Sequence, residues 1–185
     1  MGDAWRSVPD LNQRDAVEEI APWEMFVRST ALHHFVYLHE PWLWPTCEIL
    51  HYMGLSLLLG TVGLFDLRVL GFAKSIPPGT IHRLIPYGIG GYLLNIVTGT
   101  VFFFGHPDQY FYNNAFRFKA LFMAVAGINI LVFYASTAFA EMKTLGPGTD
   151  APTRIKWIAG TSLAMWVAVL ICGRFLTWFR PPFFH

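Results

Sequence analysis

The sequence predicts an all-α fold: an integral membrane four-helix bundle preceded by an N-terminal interfacial amphipathic helix. Three observations carry this reading. Only 14% of the 185 residues are charged and 54% are hydrophobic, where a soluble domain carries roughly 25% charged residues. Four apolar stretches are each long enough for a bilayer core about 30 Å thick, which needs about 20 residues of helix. Runs such as LSLLLGTVGLF and ALFMAVAGINILVFY do not alternate polar with apolar residues, as the strands of a membrane barrel would.

The elements follow in chain order. Residues 1–44 carry ten of the charges, Arg6, Arg14, Arg28 and seven acids, and read as a polar arm. Residues 1–22 contain no apolar run of signal-peptide type. Residues 23–40 mix Trp23, Phe26, Phe35 and Leu38 with Glu24, Arg28 and three histidines, which is too short and too polar to span. An interfacial amphipathic helix ended by Pro41 fits that pattern. Trp42 and Trp44 then mark the headgroup level. The bundle occupies residues 45–178, with spans over about 45–65, 84–104, 115–139 and 155–178, and residues 179–185 form a short tail. Pro45 and Pro86 stand near helix starts, where a missing N–H does little harm. KSIPPGT, GHPDQYFYNN and TLGPGTDAPT are turn-forming loops. Their shortness makes successive helices antiparallel neighbours.

Lys and Arg are denser on the two loops carrying Arg68, Lys74, Arg83, Lys143, Arg154 and Lys156. That bias places the N-terminus outside. A net charge of +1 without a basic stripe excludes nucleic acid as a partner. The lipid bilayer is the expected environment. Small residues on the fourth span, Gly160, Ala164, Ala168 and Cys172, predict close helix contact, as do Gly91, Asn95 and Gly99 on the second, and Asn129 is an amide suited to bonding across helices. Cys47 and Cys172 fall on the same side, so they are either two buried thiols or a bridge.

An ionisable residue at membrane depth is costly and marks a functional hypothesis. Glu48 and His51, three apart, share a face of the first span. Arg117 and Lys119 open the third, Arg174 lies near the end of the fourth, and His106 and Asp108 lie in the connecting loop. These residues fall at one end of the bundle, and Glu48, His51, His106, Arg117, Lys119 and Arg174 form the candidate cofactor site. Such a group suits an anionic or quinone-like headgroup, or a proton-coupled step at the imidazole; the same cations also read as side chains reaching for lipid phosphates. His51, the histidine well inside a span, is the candidate metal ligand. With His106 it would make a bis-histidine haem b site, though the spacing does not demand one. His33, His34 and His39 form a weaker metal candidate. At the other end, Asp66 and Arg68 read as an anchor. No phosphate loop, c-type haem motif or nucleophile signature is present.

Residues 41–71, 85–134 and 162–175 resemble a family of uncharacterised bacterial four-helix inner-membrane proteins. The shared pieces are Glu48-x-x-His51, Asp66-Leu-Arg68, Asn114-Ala-Phe116-Arg117-x-Lys119, Asn129 and Gly173-Arg174. Members often carry His where this chain has Tyr134. The family distantly resembles copper-resistance and cytochrome b561-like membrane proteins. The resemblance implies a four-helix membrane fold. Two functions are expected: an electron-transfer subunit holding haem b or a quinone, or a non-catalytic accessory subunit of a larger membrane complex or homo-oligomer.

Overall fold

The computed structural model describes residues 22–178; the polar arm before Pro22 and the tail after Trp178 lie outside them. The described residues form helices joined by loops and turns, with no strand among them, in the order α1 (Pro22–Arg28), α2 (Ala31–Leu58), a π-helical turn (Leu59–Gly63), α3 (Leu64–Leu70), α4 (Pro78–His82), α5 (Ile85–Gly105), α6 (Pro107–Phe111), α7 (Asn114–Ala135), α8 (Ala138–Thr144) and α9 (Thr153–Phe175). Four of the helical stretches, Ala31–Leu70, Pro78–Gly105, Asn114–Ala135 and Thr153–Phe175, are long and apolar enough to cross a membrane. The chain is an all-α, multi-pass membrane protein.

The first span corrects the sequence reading. Pro41 does not end a separate interfacial helix, and Pro45 does not begin the span. Both prolines lie inside α2, which starts at Ala31 with Thr30 as its N-cap, its hydroxyl accepting from His33 N at 3.2 Å. Each proline removes one backbone hydrogen bond and crowds the carbonyl four residues back. The helix persists because tertiary contacts grip it on both sides of the prolines. Val36 is 1% exposed. A Cβ on Gly105 would meet Val36 at 3.2 Å and Trp44 at 3.3 Å, so these side chains already fill the groove over α5. His33 Nδ1 donates to Phe104 O at 2.6 Å, satisfying a carbonyl at the open end of α5. From Ala31 to Leu70 the stretch is 40 residues long, about 60 Å at the helical rise. It therefore overshoots the bilayer core by about half its length. The short helix α1 folds back on this overhang. Trp23 packs against Phe111 with ring centroids 4.1 Å apart, and Arg28 bridges Glu24 and, at 3.4 Å, Asp108. We call this the arm end.

The bundle is assembled as two helix pairs. In the first, α2 crosses α5 where Gly54 faces Gly91, so closely that a Cβ on either glycine would meet the backbone of the other helix. In the second, α7 packs on α9, with Asn129 Nδ2 donating across to Ile158 O at 3.0 Å, the part expected of that amide. The π turn and α3 join the pairs by lying on α9. The backbones of α5 and α7 stand apart, so the bundle has a seam along that side. Phe103 and Phe116 stack across its arm end with centroids 6.2 Å apart.

Two packing expectations change. The face of α9 that is buried runs through Ile155, Ala159, Ser162, Trp166 and Val169, while Ala164 of the small-residue stripe is exposed. Large side chains meet α3 and the π turn there because α9 sits against a wide turn rather than in a close crossing. Asn95 bonds within its own helix, to Gly91 O at 3.0 Å, because α2 passes too close at Gly54 to leave it a partner across the gap. Cys47 and Cys172 are free thiols. The third span ends at Ala135, short of Phe139, where Ser136 turns extended and caps the start of α8.

The opposite end, the loop end, holds the larger apolar core, built on Phe65, Val69, Ile81, Phe133, Met142 and Ile155. Gly71, at φ 112, closes α3 in the left-handed conformation, with Phe72 N donating to Leu67 O at 3.0 Å. Two exposed ion-pair groups brace the loops. Asp150 bonds Lys74 at 2.8 Å and Lys156 at 3.2 Å, and Glu141 bonds Thr137 and Arg154. Hydrogen bonds from Lys74 and Lys156 hold the Asp150 carboxyl below its ordinary range, and those from Thr137 and Arg154 do the same for Glu141. A carboxyl with a depressed pKa stabilises the fold above its unfolded value, and the contribution is lost as pH falls through the folded one. Acidification below about pH 4 therefore loosens this end. Hydrogen exchange at residues 71–77 and 146–152 should speed up as pH falls through this range, and Asp150→Asn should remove most of that pH dependence.

Candidate functional site

Of the six residues expected to share a site, the structure brings two together. His51, on α2, and Lys119, one turn into α7, line a cavity of about 450 Å³ at the arm-end half of the bundle. Leu55, Ile96, Phe103, Phe116 and Met123 supply much of its apolar wall. The cavity sits in the seam, and its members Ile96 and Ala120 are exposed, so it opens sideways toward lipid.

The state of His51 follows from its neighbour. Thr98 is 1% exposed, and its hydroxyl donates to Leu94 O at 2.8 Å. Its proton is spent, so Thr98 Oγ1 accepts from His51 Nδ1–H at 2.7 Å. That bond fixes the tautomer and leaves Nε2 of the neutral ring as an acceptor. Phe102 lies against the ring, with centroids 5.6 Å apart. Lys119 makes no ion pair among the described residues, and a Cβ on Gly173 would stand 4.0 Å from its ammonium. The cavity thus offers a three-proton donor and an imidazole acceptor in an apolar wall.

The other four candidates lie elsewhere. His106 Nε2 is bonded to Glu40 at 3.0 Å, and Trp44 lies against its ring at 5.0 Å. His51 contacts α5 at Thr98, eight residues before His106, so the two imidazoles are separated by about 12 Å of helix. They do not face each other across one iron site. Glu48 is exposed, and its charge acts on Tyr110, whose phenol is pushed up to about 12 by burial first and by Glu48 second. Arg117 and Arg174 are exposed on the outer surfaces of α7 and α9. Among the described residues no three His, Cys, Asp or Glu side chains group closely enough to hold a metal ion. Within the histidine trio, His33 turns to Phe104 O and His39 to Phe35 O at 2.8 Å, so they diverge.

Sequence reasoning missed a second cavity. It measures about 180 Å³, lies in the same seam toward the loop end, and is lined by Asp66, His82, Asn129, Tyr134 and Ser162 among aromatic and aliphatic side chains. The two cavities share Leu58, Tyr92, Met123 and Trp166 as a common waist. Among the described residues, four buried side-chain polar atoms lack a hydrogen-bond partner. Asp66 Oδ2, Asn95 Oδ1 and Trp166 Nε1 belong to cavity-lining residues; the fourth is Arg68 Nη1. Such atoms are rare in folded proteins and mark places where a ligand or water completes the structure. Asp66 and Arg68, read from the sequence as an anchor, take separate parts. Two residues apart they face different ways: Asp66 lines the cavity, while Arg68 donates to the carbonyls of Ile76, Lys74 and Thr149.

Comparison with protein-family models, with curated proteins and with solved structures gives no match to this chain.

Proposed function

We propose that this protein binds a quinone-type lipophile, taken from the bilayer through the seam between α5 and α7, and serves membrane electron transfer. The observation that carries the reading is the pairing of Lys119 with tautomer-fixed His51 in one apolar, laterally open cavity. A headgroup with carbonyl or hydroxyl oxygens uses both: Lys119 donates to an oxygen, and His51 Nε2 accepts a proton from a hydroxyl. Burial in a low-dielectric wall strengthens each bond. The separation of His51 from His106 favours a quinone over a bis-histidine haem.

Titration of purified protein in nanodiscs with decylubiquinone tests this. Saturable binding is expected, weakened about tenfold to a hundredfold in His51→Ala and in Lys119→Met, the loss of one buried hydrogen-bond partner each. Arg174→Met, on the outer surface, should leave it unchanged. Wild-type protein without saturable binding, or equal affinity in all variants, would remove the reading and leave an accessory subunit.

A further inference from the structure

We propose that the loop-end cavity binds a lipophilic organic cation, an aryl- or alkylammonium, with Asp66 as its counter-ion. This site is separate from the quinone reading and does not rest on it. Asp66 is 4% exposed, and its Oδ2 has no hydrogen-bond partner. Ser162 donates to the carboxyl group, and no Lys, Arg or His lies within ion-pair distance among the described residues. The nearest guanidinium in sequence, that of Arg68, is committed to loop carbonyls. Lys143 lies over the Phe139 ring at 4.1 Å. A buried carboxylate without a cation is costly, and inside a bilayer such a group acquires either a proton or a positive partner.

The rest of the cavity fits the second choice. Phe65, Tyr92, Phe133, Tyr134 and Trp166 contribute aromatic rings to its wall. Aromatic faces attract a desolvated cation, and such cages are a recurring device for ammonium recognition. Ile89 of α5 and Gly127 and Ile130 of α7 are exposed members of the lining, so entry is again lateral and selects lipophilic cations. The seam therefore offers two complementary polar ends: a cationic one at Lys119 and an anionic one at Asp66.

The test uses full-length protein in nanodiscs and phenyltrimethylammonium as probe, with tert-butylbenzene as its neutral counterpart of similar shape. In wild-type protein, dicyclohexylcarbodiimide should modify Asp66, read by mass spectrometry, and saturating phenyltrimethylammonium should slow that labelling about tenfold while tert-butylbenzene does not. Equilibrium dialysis with radiolabelled probe should give saturable binding that weakens at least about tenfold in Asp66→Asn, survives in Asp66→Glu, and is unchanged in Lys119→Met. Protection by the neutral compound to the same degree, labelling of Asp66 indifferent to the probe, or equal binding by Asp66→Asn would each overturn the proposal. Decylubiquinone titration of the same samples keeps the two readings apart, because Asp66→Asn should leave that affinity intact.

Discussion

Replacing Gly91 with alanine should destabilise the bundle by about 2–3 kcal/mol, the upper range of overpacking effects. A Cβ at that position would stand 2.5 Å from Gly54 O, 2.9 Å from Leu57 Cβ and 3.0 Å from Leu58 N. Two of these are backbone atoms of the partner helix, so no rotamer change relieves them. The whole α2–α5 crossing must open, which also shifts Leu58 and Tyr92 at the waist between the cavities. The comparison is Gly90→Ala, one residue away, where an added Cβ meets nothing within 4 Å. That variant should lie within about 0.5 kcal/mol of the parent, as neutral surface changes do. Thermal melting in detergent, followed by helical circular dichroism, distinguishes the two.

The second large effect is expected at Arg68. Its side chain is 1% exposed and donates to three carbonyls, those of Ile76 and Lys74 in the first loop and Thr149 in the second. Lys74 O also accepts from Gly148 N at 2.8 Å, so one guanidinium and one backbone bond tie the two loops together. Arg68→Met preserves much of the packed length and removes every donor. The acceptor residues are exposed and Lys74 O keeps its bond from Gly148 N, so the cost is that of the lost hydrogen bonds from a charged group, about 1.5–3 kcal/mol for the strongest of them. A loss of about 3 kcal/mol follows, felt locally: hydrogen exchange at residues 71–77 and 146–152 should accelerate about a hundredfold, while that of α1 and the first turns of α2 stays as it was. Lysine at this position should rescue little, because an ammonium does not reproduce the planar fork that reaches separated carbonyls.

These expectations show what the sequence carries. The four spans, the loop positions and the helix start at Pro86 were legible because length, hydropathy and turn residues are local properties. Continuation of the first span through Pro41 and Pro45 was not, because it depends on Val36, Trp44 and His33 gripping α5, residues about 70 positions away in the chain. The candidate site was legible in kind but not in membership. Spacing alone grouped six ionisable residues at one end, and only the rotational setting of each helix decides which two enter the cavity. Glu48 and His51 share a face in the loose sense of three-residue spacing, yet His51 meets Thr98 while Glu48 stays at the surface. Asp66 and Arg68 were read together as an anchor for the same reason; only the fold shows that Asp66 lines a cavity while Arg68 turns to the loop carbonyls. The tautomer of His51 has no sequence signal at all; it needs Thr98 and Leu94 in place.

The central claim, that a headgroup-bearing lipophile occupies the seam between α5 and α7, is tested most directly by photolabelling. An azido-quinone is irradiated with the protein in nanodiscs, and the modified residues are located by mass spectrometry. The account predicts adducts within residues 96–103 of α5 and 116–123 of α7, suppressed by excess decylubiquinone and lost in His51→Ala. Adducts scattered over lipid-facing positions such as Leu93, Ile128 and Leu131, unaffected by the competitor, would contradict it.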